Sequence, residues 1–148
     1  MKTSKKGIEL IKKYEGFRSE PYRDAVGVPT IGYGATYYPN GNKVKMTDRP
    51  ITEPQATELL KAMLKNYENT VKMLVTVELN QNKFDALVSF VYNLGRANFG
   101  KSTLLKKINA NPNDESIRAE FKRWNRAGGK ILNGLTRRRN EEADLYFS

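Results

Sequence analysis

The chain contains no cysteine and no histidine among its 148 residues. Without cysteine it forms no disulfide, and either a reducing or an oxidising compartment would suit it. Without histidine it lacks the imidazole of a serine triad, of most zinc sites and of most biological proton transfer. An enzyme of this composition must move its protons with carboxylates. No metal and no other cofactor is implied. Nowhere does an apolar run reach the roughly 18 residues that a membrane-crossing helix needs. The basic start, Met1 to Lys13, holds no apolar stretch long enough for an export signal. The expectation is a soluble protein that the usual signal does not export and that does not insert into a membrane.

What is present suits a single globular domain: 39% hydrophobic and 10% aromatic residues, with no low-complexity run. A chain of this length buries about two-thirds of its unfolded surface without disulfides or metals. The 26 Lys and Arg outnumber 16 Asp and Glu, giving +10 and a pI near 9.8. Such a surface attracts nucleic acid, acidic lipid or anionic wall polymer alike. Because the charge is spread along the chain, a plain solvated basic face competes with any specific polyanion partner.

Ser4 is placed to cap a first helix, with Ile8 and Ile11 on one face, and Gly16 to end it. Glu15 then lies at the helix C-terminus, where the partial negative charge opposes a carboxylate and favours a retained proton. From Phe17 to about Met46, prolines and glycines break the pattern into short extended pieces. Ala25-Val26-Gly27 reads as a turn, Thr30 to Gly34 as a strand, and Asn40-Gly41 as a second hairpin turn. About three strands are expected, too few to stand without helices.

Thr52-Glu53-Pro54-Gln55 is a capping-box pattern opening a helix of about twenty residues. Leu60, Met63, Leu64, Tyr67, Val71 and Leu74 form its apolar stripe, while Lys61, Lys65, Asn66 and Glu68 are assigned to solvent. Asn80 is placed to cap a helix that is apolar nearly all round, stopped by Gly95. Further helices are expected from Thr103 to Asn109 after Ser102, from Glu115 to Arg126 after Asp114 with Gly128-Gly129 closing it, and from Leu135 to Phe147. The predicted fold class is α+β, mainly helical, in one domain over residues 1–148. It would have a small antiparallel sheet lobe at about 16–50, a connecting helix at about 53–73, and a helical lobe at about 76–148 plus the N-terminal helix.

The candidate chemistry lies in Glu15 to Thr30, where two carboxylates and a hydroxyl follow the spacing E-x8-D-x5-T. Glycoside cleavage needs one carboxylic acid that is still protonated and one carboxylate that activates water or attacks carbon. Glu15, with Tyr14 and Phe17 nearby, suits the acid; Asp24, in a polar turn, suits the ionised partner. The Thr30 hydroxyl can orient a water with Asp24, and room for that water corresponds to carboxyls roughly 6.5 to 9.5 Å apart, as in an inverting enzyme. On spacing alone these residues have ordinary roles too. A helix-terminal Glu is often solvated, an Asp before a glycine turn often a turn former, and a strand Thr simply at home.

Glu15-Gly16, Tyr22-Arg23-Asp24 and the run Gly27 to Gly34 resemble the catalytic region of the phage-type lysozymes, or endolysins, of glycoside hydrolase family 24. The resemblance continues in order through Leu79-Asn80-Gln81, Phe84 to Phe90, Tyr92 to Gly95, Ser102 to Leu105, Gly134-Leu135, Arg137-Arg138-Arg139 and Glu142. It implies a lysozyme-like fold and an N-acetylmuramidase that cuts bacterial peptidoglycan and lyses the cell. It assigns Glu15 as general acid, Asp24 as base or electrostatic partner, and Thr30 as the residue positioning water. It also suggests Gly34, Tyr92, Asn93 and Ser102 as substrate-binding positions, although a core aromatic is an equal reading for Tyr92. Many relatives place His where this chain has Ala35. One of Arg137, Arg138 and Arg139 is expected to turn inward and hydrogen-bond Glu15, the other two lying on a solvated face.

The expected partner is the glycan strand of peptidoglycan, with nucleic acid not the main partner and the protein monomeric. Residence in the host cytoplasm until the membrane is permeabilised follows from the same resemblance. Two rivals remain open: a lytic transglycosylase, which makes the same cut and leaves an anhydro sugar, and a non-catalytic basic module binding wall or nucleic acid by charge.

Overall fold

Seven helices and four short strands make up the computed structural model, which describes Met1–Ser148. The chain is mainly helical with two small antiparallel sheets, in the class the sequence predicts. It separates into two units, Ile11–Lys65 on the one hand and Met1–Leu10 with Asn66–Ser148 on the other.

In the first unit, helix α1 (Lys5–Glu15) delivers its last turn and stops at Gly16. Gly16 has φ +74°, and its N–H closes the turn on the Lys12 carbonyl at 2.9 Å. Strands β1 (Arg18–Arg23) and β2 (Pro29–Gly32) pair antiparallel, with Tyr22 opposite Thr30 and Arg23 opposite Pro29. The ladder is irregular between Arg18 and Tyr22, the stretch that holds Pro21, which has no N–H to donate.

The strand expected to reach Gly34 ends at Gly32. Gly32 and Gly34 have φ +67° and +91° and fold the chain back, so that Ile31 and Ala35 exchange both backbone hydrogen bonds at 2.9 Å. The Asn40-Gly41 turn forms as expected, but it joins only the single bridge between Tyr37 and Lys43. The expected three strands are thus one two-stranded ladder with bridged loops. Helix α2 (Glu53–Leu74) opens with the reciprocal capping box: the Gln55 N–H donates to the Thr52 hydroxyl and the Thr52 N–H to the Gln55 side chain.

The second unit is centred on α3 (Gln81–Leu94), capped by Asn80 and stopped by Gly95, with every residue from Lys83 to Val91 buried. Helix α7 (Asn133–Tyr146) packs along it. Phe90 is the hub of an aromatic cluster with Phe99, Phe121 and Trp124, their ring centroids 5.7 to 5.9 Å away and steeply inclined. A short helix α4 (Arg96–Gly100), not foreseen, precedes α5 (Thr103–Ala110), which Ser102 caps.

Three expectations fail here for physical reasons. Helix α6 covers only Ile117–Lys122: before it Asp114 accepts from both the Ser116 N–H and hydroxyl and holds the chain in a turn, and after it Arg126 enters a strand. Gly128 and Gly129 do not close a helix. With φ +58° and +77° they make the two-residue turn of a hairpin, β3 (Arg126–Ala127) with β4 (Lys130–Ile131). Glu68, assigned to solvent, is buried because the Thr3 N–H and hydroxyl both donate to it, at 2.8 and 2.6 Å.

Candidate active site

The three residues singled out from spacing all belong to the Ile11–Lys65 unit. Glu15 is the last residue of α1 and half-buried. Asp24 follows β1 and organises the turn to β2: its Oδ1 accepts from the N–H groups of Val26 and Val28, at 3.0 and 2.9 Å. Arg23 braces that turn from outside by donating to the Gly27 carbonyl at 3.0 Å. The turn is therefore built by its own acid, and Oδ1 is committed to the backbone.

Thr30, on β2, is 3% exposed, and its hydroxyl donates to the Val28 carbonyl at 2.8 Å. With its hydrogen engaged there, the oxygen faces any further partner as an acceptor. Opposite Thr30 stands Tyr22, whose ring is covered by the Arg18 guanidinium at 4.3 Å. Burial pushes the Tyr22 phenol above its ordinary value; the Arg18 charge works against this, and the negative charges of Glu15 and Asp24 both add to it. One phenol thus feels both carboxylates. Tyr22 was not picked out by spacing, yet counting back from the Asp24 to Val28 turn pairs it with Thr30, so hairpin register was the signal available.

Gly34 sits half-exposed in the loop between Ile31 and Ala35. Ala35 is 1% exposed.

The remaining expected positions lie in the helical unit. Tyr92 is half-buried and meets Tyr67 edge-on, ring centroids 5.0 Å apart. The Asn93 side-chain oxygen accepts from Arg139 at 2.8 Å. Ser102 is 3% exposed; its hydroxyl donates to the Phe99 carbonyl and accepts from the Leu105 N–H. Its visible role is that of a helix cap.

The arginine run departs from expectation. Only Arg137 is exposed; Arg138 and Arg139 are 3% and 0% exposed. Both reach Glu142, itself fully buried, which lies four residues beyond Arg138 and three beyond Arg139 on α7. Arg139 Nε is 2.9 Å from one carboxylate oxygen; Ser89 donates to the other at 2.5 Å, and Arg138 approaches that same oxygen at 3.4 Å. Neighbouring helical residues diverge by about 100°, but long guanidinium side chains converge on a carboxylate one turn on. Burial pushes the Glu142 carboxyl up, against the pull of Arg139, Arg138 and Ser89.

A helix ending in one carboxyl, a hairpin bearing a second carboxylate and a buried hydroxyl, and a mainly helical remainder are the parts expected of a lysozyme-type glycoside hydrolase. The phage lysozyme family model matches residues 12–142, and the chain belongs to that family. It is 40% identical over 148 residues to the endolysin of Salmonella phage P22, covering all of this chain and 99% of that one. It is 38% identical over 148 residues to the endolysin of Bacillus phage B103, covering all of this chain but only 55% of that protein. The chain thus spans nearly the whole of one relative and about half of the other. Among solved structures, an endolysin from Escherichia coli O157:H7 phage FAHEc1 matches with a TM-score of 0.88 and 40% identity, over 99% of this chain and 93% of that one.

Proposed function

We propose that this chain is an endolysin that hydrolyses the β-1,4 bond between N-acetylmuramic acid and N-acetylglucosamine in bacterial peptidoglycan, and so lyses the host cell. As a member of the phage lysozyme family it is a peptidoglycan-hydrolysing enzyme. Glu15 is the general acid that protonates the leaving oxygen. Asp24 and Thr30 hold the attacking water.

The observation that carries these roles is the hydrogen-bond direction in the hairpin. Asp24 Oδ1 is taken by two amides and the Thr30 hydroxyl points its hydrogen at Val28. Asp24 Oδ2 and Thr30 Oγ1 then both act as acceptors. A water donating one hydrogen to each keeps a lone pair for the anomeric carbon, while Asp24 takes the proton as the bond forms. Attack opposite the departing oxygen inverts that carbon.

Glu15→Gln should stay folded and lose turbidity clearance of cell walls. Muropeptide mass spectrometry on the wild type should give reducing, hydrated ends. Wild-type clearance by the variant would sink the role of Glu15, and dominant anhydro products would reject hydrolysis in favour of transglycosylation. No helix is long and apolar enough to cross a membrane. The proposal includes its setting: the enzyme meets the wall once the membrane has been permeabilised and acts as a monomer on glycan strands.

A further inference from the structure

The joint between Glu15 and the hairpin is Gly16, in the left-handed region, with nothing within 4 Å of where a side chain would begin. Local packing at that residue does not set the angle between α1 and the sheet. A network of polar contacts does span the joint. Glu53, the first residue of α2, gathers three donors on one oxygen: the Tyr33 hydroxyl at 2.6 Å, the Thr57 hydroxyl at 2.8 Å and Lys12 Nζ at 3.1 Å.

Lys12 lies three residues before Glu15, so the two share a face of α1 one turn apart. Its ammonium also stands 5.4 Å from the centre of the Tyr33 ring. Tyr33 directly follows β2 and is 7% exposed, with its ring 5.7 Å from that of Phe17 just beyond the joint. The Glu53 carboxyl is pulled down to about 2, chiefly by Tyr33, then by Thr57 and Lys12, so it is ionised at any neutral pH.

We propose that Lys12, Tyr33 and Glu53 form a positioning clamp that holds the Glu15 end of α1 at a fixed distance from the strand carrying Thr30. The inference rests on Glu15, Asp24 and Thr30 being the reacting groups. The clamp touches no substrate and acts through them. Its worth lies in geometry: the Lys12 ion pair is 46% exposed on the Glu53 side, and exposed pairs add little to stability, whereas a misplacement of about 1 Å can slow a reaction up to about a hundredfold.

The test uses the full chain and purified peptidoglycan, with Tyr33→Phe, which removes only the hydroxyl, and Lys12→Met, which keeps the stem and removes the charge. Each should lower kcat about tenfold per folded molecule, with KM within about twofold and little change in melting temperature. Lys12→Arg should recover most of the rate. Lys61→Met removes an exposed pair with Glu58 on α2, outside the network, and should leave kcat unchanged. If Glu15→Gln is inactive while Tyr33→Phe and Lys12→Met keep wild-type kcat, the clamp is wrong and the catalytic reading stands. The clamp is equally overturned if the rate loss vanishes once corrected for unfolded protein, or if Lys61→Met slows the enzyme as much as the other two. An active Glu15→Gln would instead remove the catalytic reading on which the clamp depends.

Discussion

The two units hold their most heavily hydrogen-bonded carboxylates in opposite ways. In the helical unit, Glu142 and Asp85 are fully buried. Glu142 is enclosed by two guanidiniums and a serine; Asp85 accepts from the Ser4 N–H at 3.0 Å, the Ser4 hydroxyl and the Gln81 side chain at 2.8 Å. In the sheet unit, Asp24 and Glu15 are half-buried, and Glu53 stays in contact with solvent while its hydrogen bonds fix it. A buried charge is costly to remove from water and tolerates no loss of a partner, so it belongs where nothing must change during turnover. A carboxyl that has to give or take a proton must keep access to substrate and water. The difference separates Glu142 and Asp85, which hold the fold, from Glu15 and Asp24, the carboxyls proposed to carry the reaction.

Substitutions can break that separation, beginning with the largest expected effect. Glu15→Gln should cost about 10²- to 10⁴-fold in turnover, the usual span for a lost general acid, with the melting temperature almost unmoved. Glu142→Ala should do the reverse. Stranding two buried guanidiniums costs about 3 to 5 kcal/mol, which for a chain of this size lowers the melting temperature by roughly 10 °C. Turnover measured well below melting should persist, and a slow but stable Glu142→Ala would erase the distinction. Asp85→Ala should lose about 2 kcal/mol, since a charged acceptor and its three donors are unpaired together; calorimetry checks this.

Gly7→Ala sharpens the same point, because a methyl there would lie 2.8 Å from the Asp85 side chain and from Thr3. It should destabilise by about 1 to 3 kcal/mol through overpacking. The smallest effect concerns Glu53. Its folded value falls from the ordinary 4.5 to about 2, so its contribution is fully present above about 4.5 and fades as pH drops toward 2. The melting-temperature difference between wild type and Glu53→Gln should therefore shrink across that window. A constant difference would mean the carboxylate charge is not what matters there.

Much of this was readable from local patterns. Thr52 with Gln55, Asn80, Ser102, Gly16 and Gly95 marked helix ends correctly because a cap and the groups it satisfies lie within four residues of each other. Asp24 was readable as a turn residue for the same reason. Gly128-Gly129 was misread, since a glycine pair can end a helix or turn a hairpin, and only the partner strands distinguish the two. Arg138 and Arg139 were misread as a run with one inward member. Nothing near them in sequence announces that Ser89, 53 residues from Glu142, would meet that carboxylate.

The sequence by itself determined the available chemistry. With neither histidine nor cysteine, carboxylates were the candidates for proton transfer, and E-x8-D-x5-T falls on a helix end and a hairpin. Only the tertiary structure decided which charges are buried, which way the Thr30 hydroxyl points, and that Glu53 reaches both Tyr33, 20 residues away, and Lys12 on α1. Backbone caps and turns are set by neighbours that the chain cannot separate. Long-range polar pairing is set by which buried groups find each other when the apolar surfaces close, and no short stretch of residues contains both halves of that choice.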